Sequence, residues 1–199
     1  MARRLGRRIV TMLDTRENCA TMANMNKTVM LFLAVLALAL VSPALQVYAA
    51  AYDALLPLLV DLPGWEAEPA DGADASAQGM RAVTAYRTYE SGDRRFEVNL
   101  LIGSQAMMSW MPDYKEGFKV ETSEGLMEVK KIAGFLVFYT FEREGNSGGI
   151  LVLLQDPGNK PEMGAVLAIS FEGLALDEAL KNAQRFPWAR MKEQVGKLK

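Results

Sequence analysis

The amino-acid sequence predicts an α+β fold, in which a single domain contains a mainly antiparallel sheet of about six to eight strands. Between residues 80 and 172, short apolar segments alternate with turns that contain glycine or asparagine, which is typical of antiparallel hairpins. After residue 175 the apolar residues recur every three or four positions, which is typical of a helix. A run of strands followed by a helical segment favours helices packed on one face of the sheet.

Residues 25–51 have the three parts of a cleavable secretory signal. Lys27 supplies a positive charge, residues 29–41 form an uncharged apolar run, and residues 43–51 are mostly small. The apolar run of 13 residues is shorter than the roughly 20 residues that a membrane-spanning helix needs. We therefore expect removal of this segment, with no stable membrane span afterwards.

Cleavage after Ala49 or Ala51 is expected, so that the mature chain begins at Ala50 or Tyr52. The mature α+β domain is expected at residues 52–199, in the periplasm or secreted. Residues 1–24 form an N-terminal extension, which would be absent if translation starts at Met25.

Composition excludes several functional classes. The chain has no histidine, and its one cysteine, Cys19, precedes the apolar run of the signal. A cysteine-free mature domain has neither disulfides nor a Cys/His metal site. Residues 52–199 carry 16 Lys/Arg and 22 Asp/Glu, a net charge near −6, which disfavours binding to nucleic acid. We expect no cofactor.

The first part of the mature domain is predicted to contain little regular structure. Residues 52–63 suggest one helical turn broken at Pro57, and Trp65 begins a strand or an extended lead-in. Small and acidic residues dominate residues 68–79, which we interpret as a surface loop because they can bury little apolar surface.

The rest of the sheet follows in order along the chain. Residues 81–89 and 95–102 flank Gly92, and the second segment alternates apolar with polar side chains, which predicts a half-buried hairpin. A short helix is expected near residues 104–111, before Pro112. Charged residues mark two later segments as edge strands, and three segments that are apolar on both faces are expected at the centre. The edge strands are residues 117–122 and 127–132, and the central strands are residues 135–141, 150–154 and 165–172.

The C-terminal residues predict helix in two pieces. Apolar residues recur at helical spacing on both sides of Pro187, which is harmful in the middle of a helix and tolerable at its start. We expect both pieces to pack on one face of the sheet, with Trp188 in the core and the short helix elsewhere.

Three segments, LPGW at 62–65, TAYRTYESGD at 84–93 and VLAISFEGLALDEALKNA at 166–183, carry a resemblance. Over most of residues 61–198 the chain resembles a family of small uncharacterised exported bacterial proteins. More distantly it is similar to the PsbP-like sandwich, a fold used for docking on larger assemblies. The resemblance implies an exported binding domain and supplies no catalytic residues.

Ser147, within GNSGG, resembles the nucleophile of trypsin-like proteases. A serine nucleophile needs a base within hydrogen-bond reach, and the chain has no histidine. A Ser-Lys dyad with Lys130, Lys131 or Lys160 remains open, although no spacing points to one. We interpret residues 145–149 as a flexible hairpin connection, because glycine and asparagine tolerate the positive φ of such turns.

Met107, Met108 and Met111 surround Trp110 in the predicted short helix. Thioether sulfur selects Cu(I), so the three methionines are candidate metal ligands in an exported protein. Methionine also fills apolar gaps and provides adaptable contact surfaces. The alternative is an interaction surface made by the three methionines and the tryptophan.

Other polar and aromatic residues point to chemistry less directly. Asp71 and Asp74 lack the spacing of a calcium loop, and we expect a solvated acidic turn. Glu142 and Glu144 offer two carboxylates without an evident cleft, which acid–base catalysis would require. Trp65, Trp110 and Trp188 line a ligand pocket or belong to the core.

Together these observations predict an exported, soluble, non-enzymatic domain that binds another protein of the bacterial cell envelope or a small ligand. The alternative is a periplasmic Cu(I)-binding protein, and a hydrolase using Ser147 or carboxylates ranks last.

Overall fold

A computed structural model describes residues 50–77, 80–110, 115–158 and 164–198. The N-terminal extension and nearly all of the predicted signal, residues 1–49, lie outside the described residues. In the described chain a single antiparallel sheet of nine strands is accompanied by three short helices. The strands are β1 (Glu66–Ala67), β2 (Asp71–Ala77), β3 (Met80–Ser91), β4 (Arg94–Gly103), β5 (Lys119–Glu121), β6 (Gly125–Ile132), β7 (Phe135–Glu142), β8 (Ser147–Gln155) and β9 (Ala165–Glu172). The helices are α1 (Ser104–Ser109), α2 (Leu176–Ala183) and α3 (Trp188–Lys197), and two 3₁₀ turns, Ala51–Ala54 and Leu56–Leu58, precede the sheet.

The sheet joins two antiparallel meanders. Its strand order is β1, β3, β4, β9, β8, β7, β6, β5, with β2 also paired to β3 along the outer edge. The first meander runs to β4, the second runs from β5 to β9, and pairing between β4 and β9 closes the junction. The predicted central position of the late apolar strands and the predicted edge position of β5 are confirmed. The prediction of β6 as an edge strand was wrong, because β6 pairs with β5 on one side and with β7 on the other. The expected strand count was too low.

One face of the sheet carries the main core. In β4 the predicted alternation is confirmed, since Phe96, Val98 and Leu100 are buried and the residues between them are not. Helices α2 and α3, which lie on either side of Pro187, contribute their apolar side chains to the same core. The buried helical residues in it are Ala179, Leu180, Ala183, Trp188, Met191 and Val195.

The opposite face carries a smaller core beneath α1. Ala106 and Trp110 pack there with Val129, Phe138 and Val166, which come from three different strands. The central strands are therefore buried on both faces in this region, as apolar residues at successive positions predicted. Within the described residues, no helix is long and apolar enough to cross a membrane.

The interpretation of residues 68–79 as a loop was wrong, because residues 71–77 form strand β2 along β3. An edge strand can be held by its backbone ladder, so small residues suffice. Gly72 is required here, since a Cβ atom would lie 2.6 Å from the Tyr52 ring and from the Thr84 carbonyl oxygen. The Tyr86 hydroxyl donates to Asp71 at 3.1 Å and ties the two strands further.

The predicted hairpin connection around Asn146 is confirmed in part. Residues 143–146 form the turn, and Asn146 has a φ of +45°. Ser147, Gly148 and Gly149 instead belong to β8. Gly148 is needed for close packing, because a Cβ atom would lie 2.1 Å from the Thr140 carbonyl oxygen.

Candidate binding surface

A depression of about 820 Å³ lies where the β5–β6 hairpin and the β7–β8 hairpin end side by side. Apolar side chains form part of its wall, and carboxylates and hydroxyl groups form the rest. Its lining comprises Val120, Thr122, Ser123, Glu124, Gly125, Leu126, Met127, Thr140, Phe141, Glu142, Arg143 and Glu144. We call this the hairpin depression.

Two glycines shape the strands at the hairpin depression. Gly117 has a φ of +90°, its N–H donates to the Val129 carbonyl, and the Val129 N–H donates to the Phe118 carbonyl. This is a bulge of the kind that needs glycine at its first position, and it sets the start of β5. At the other end, a Cβ atom on Gly125 would lie 2.4 Å from the Phe141 carbonyl oxygen. The β6–β7 pairing at the depression therefore depends on glycine.

Hydrogen bonds fix the tip of the β5–β6 hairpin. The Thr122 hydroxyl oxygen accepts hydrogen bonds from the backbone N–H groups of Glu124 at 3.2 Å and Gly125 at 3.1 Å. The Thr122 N–H donates in turn to the Gly125 carbonyl at 2.9 Å. A threonine that satisfies local N–H groups in this way stabilises a tight turn.

Arg143 joins the two hairpins. Its backbone N–H donates to the Glu124 carbonyl at 2.9 Å, and its guanidinium lies 2.8 Å from a Glu121 carboxylate oxygen. Lys119 lies 3.0 Å from the other oxygen of Glu121. The hydrogen bond from Lys119, with a smaller contribution from Arg143, lowers the pKa of Glu121 below its usual range. Both nearby cations are thus paired with one carboxylate.

Exposed apolar side chains concentrate at this hairpin. Val120 and Met127 face each other across β5 and β6 and are 45% and 38% exposed. Phe118, two residues before Val120 on the same side of the chain, is 37% exposed. Of the five large hydrophobic residues that stand out as exposed in the described chain, three are these, and the others are Tyr86 and Met108.

The rim of the hairpin depression is acidic. Glu124, Glu142 and Glu144 line it, and none of them forms an ion pair with any residue that the structure describes. Lys119, Glu121 and Arg143 together carry one net positive charge and the three rim glutamates carry three negative charges, so the rim has a surplus of negative charge. The sequence placed Glu142 and Glu144 without a cleft, and the structure supplies an open one beside them.

The predicted Met/Trp site has two different environments. Met108 is 86% exposed on α1, whereas Trp110 is 5% exposed and packs in the smaller core. Trp110 therefore contributes to packing and is not an exposed contact. The side chain of Met107 and the whole of Met111 lie outside the described residues, so convergence of the three sulfur atoms on a copper ion stays a prediction.

Ser147 lies in β8 opposite Glu142, at the edge of the hairpin depression. The candidate base Lys130 pairs with Val137, five residues from Glu142 along β7, which corresponds to roughly 16 Å. Its ammonium group lies 4.9 Å from the centre of the Tyr139 ring. Lys131 forms an ion pair with Glu116, and Lys160 lies outside the described residues. Neither Lys130 nor Lys131 therefore lies beside the serine.

The structure also places the acidic pair of β2 and the tryptophans that the sequence singled out. Asp71 and Asp74 lie three residues apart on β2, so their side chains point to opposite faces. Among the described residues, no group of three or more His, Cys, Asp or Glu side chains is placed to hold a metal ion. Trp188 is buried in the core, as predicted. Trp65 lies at the core margin, with the Arg94 guanidinium 5.1 Å from its ring centre.

Val120 and Met127 are functional-surface candidates that were not predicted from the sequence. Period-two alternation in FKVE, where Phe118 and Val120 alternate with Lys119 and Glu121, indicates one apolar side on a strand at the sheet edge. The alternation by itself predicts only a strand at the sheet edge. Whether the apolar side of that strand is exposed to solvent depends on whether another part of the fold covers it, which the local sequence does not indicate.

Searches against protein-family models, curated proteins and solved structures each find no match to this chain. The resemblance to small exported bacterial proteins and to the PsbP-like sandwich therefore stays a prediction.

Proposed function

We propose that residues 52–199 form an exported, non-enzymatic domain that binds another protein of the bacterial cell envelope. The observation that carries this proposal is the hairpin depression, with three of the most exposed large apolar side chains beside it. A contiguous exposed apolar patch with a polar rim is characteristic of an interaction site.

Export is supported by the signal pattern of residues 25–51 and by the packing that begins at its last residue. Ala51 and Tyr52 pack against the main core, and Tyr52 also lies over Gly72. Cleavage after Ala49 or Ala51 would keep Tyr52, whereas cleavage further along would remove a residue that stabilises β2. The predicted cleavage sites are thus compatible with the fold of the mature domain.

A protein partner suits this surface better than a small ligand. Sites for small ligands enclose most of the ligand surface in a largely apolar cavity. The hairpin depression is open to solvent along the ends of two hairpins and has carboxylates around it. Its mixed apolar and charged character resembles that of protein interfaces.

Native mass spectrometry of the protein recovered from the cell envelope tests this proposal. The expected spectrum shows a chain that begins at Ala50 or Tyr52, together with a species of higher mass that releases a second polypeptide on denaturation. A full-length chain confined to the cytoplasm would contradict export. A retained small molecule in place of a polypeptide would contradict the protein-binding role.

A further inference from the structure

We propose that the hairpin depression receives a segment of the partner protein in which apolar side chains stand next to lysine or arginine. This inference rests on the proposed function and adds the chemistry of the partner. It follows from three features of the surface: its charge, its apolar wall and its rigidity.

The charge of the rim determines which charge the bound segment of the partner should carry. Glu124, Glu142 and Glu144 give the rim a negative potential, because their three charges exceed the one net positive charge of Lys119, Glu121 and Arg143 together. Complementary charge steers association and disfavours partners of like charge. A cationic segment is favoured for the same reason that a second copy is disfavoured, since the mature domain has a net charge near −6.

The apolar wall of the hairpin depression indicates that the bound segment also needs apolar side chains. Val120 and Met127 are directly opposite each other, and each keeps more than a third of its surface open to solvent. Covering these side chains removes apolar area from water, which is the main source of favourable free energy in association. A purely polar cation would leave this area exposed, so the segment needs apolar side chains as well.

The surface is also organised before binding. Thr122 holds one hairpin tip, and Arg143 connects it to the other through its backbone N–H and its guanidinium. A preorganised surface loses less conformational freedom when a partner binds. The carboxylates of the rim are therefore presented on a fixed frame and are not carried by a freely moving loop.

The test measures binding of a defined probe to the protein recovered from the cell envelope. The probe is a fluorescein-labelled peptide of nine residues that alternates lysine and leucine, followed by fluorescence anisotropy at physiological ionic strength. Two analogues replace all lysines with glutamate or all leucines with serine. The expected result is saturable binding of one peptide per chain, with affinity reduced at least about tenfold for either analogue.

Protein variants locate the site. Glu142→Gln with Glu144→Gln, and separately Val120→Ser with Met127→Ser, are each expected to weaken binding about five- to tenfold. The matched control is Glu66→Gln with Glu90→Gln, which removes two carboxylates that face each other on β1 and β3, far along the sheet. This control and Met108→Ser are expected to change affinity less than twofold.

Four outcomes would overturn the inference. They are equal loss of affinity in the Glu66/Glu90 control, tight binding of the glutamate analogue, tight binding of the serine analogue, and self-association that the variants at the depression abolish. Each can occur while mass spectrometry still shows an exported protein with a polypeptide partner. Failure of the inference is therefore distinguishable from failure of the proposed function.

Discussion

Arg87 fastens residues 59–68, which lie on both sides of β1, to the sheet, and replacing it tests how this segment is held. Its Nε donates to the Glu68 carbonyl at 2.7 Å and its Nη1 to the Leu59 carbonyl at 2.7 Å. Its Nη2 lies 2.7 Å from Asp61, and its side chain is 16% exposed. We predict that Arg87→Ala destabilises the domain, because the two backbone carbonyls lose the hydrogen bonds that the charged guanidinium donates to them.

The magnitude follows from the burial of each partner. Hydrogen bonds from a charged donor contribute about 1.5–3 kcal/mol each. The ion pair adds at most about 1 kcal/mol, because the Asp61 side chain is 84% exposed and its charge is screened by water. We therefore expect Arg87→Ala to lower the free energy of unfolding by about 3 kcal/mol, which lowers the Tm of a domain of this size by about 6–12 °C.

Urea unfolding followed by tryptophan fluorescence and by circular dichroism measures this change. Arg87→Lys keeps the charge with fewer donors and is expected to lose about half as much stability. Asp61→Asn removes only the ion pair and is expected to cost less than about 1 kcal/mol. If Asp61→Asn were as destabilising as Arg87→Ala, the ion pair and not the carbonyl contacts would hold the segment, and the reasoning would be refuted.

Three further predictions concern the sheet. Gly148→Ala is expected to lower the free energy of unfolding by about 3 kcal/mol or more, because its Cβ atom would overlap the Thr140 carbonyl. The control Gly149→Ala, whose Cβ atom would lie 3.6 Å from its nearest neighbour, is expected to lower it by less than about 1 kcal/mol in the same urea assay. Ala133 has a φ of +51° in the β6–β7 turn, so Ala133→Asn should raise the free energy of unfolding by about 0.5–1 kcal/mol, and a loss of stability would contradict this strain. Burial raises the pKa of Tyr89 to about 12. The contribution of the neutral hydroxyl to stability should therefore be complete below pH 10 and decrease between pH 10 and 12. Urea unfolding over this pH range should show that the free energy of unfolding decreases more steeply for the wild type than for Tyr89→Phe.

Local patterns predicted the parts of the fold that depend on neighbouring residues in the chain. The alternation around Phe96 and Val98 predicted which side of β4 is buried, and the cluster at Asn146 predicted a turn between two strands. Both patterns depend only on residues a few positions apart in the chain, and over that distance the sequence indicates burial and backbone geometry directly. The apolar stripes on either side of Pro187 predicted two helical pieces for the same reason.

Features that depend on distant residues were missed or left open. Strand β2 has few apolar residues, and its position depends on the ladder with β3 and on Tyr52 packing over Gly72. The hairpin depression depends on the β6–β7 ladder, which sets the ends of the two hairpins side by side, and on Arg143, which links them. Helical spacing likewise grouped Met108 with Trp110, but only the packing of α1 on the sheet decides that one is exposed and the other buried.

Site-specific photo-crosslinking in living cells shows whether the exported domain contacts its partner at the hairpin depression. A photoreactive amino acid is placed at Met127, at Met108 or at Lys181, which is exposed on α2. We expect one discrete protein adduct from position 127 that is absent at position 181 and is lost when Glu142→Lys and Glu144→Lys are added. No adduct at position 127, or the same adduct from all three positions, would contradict this expectation.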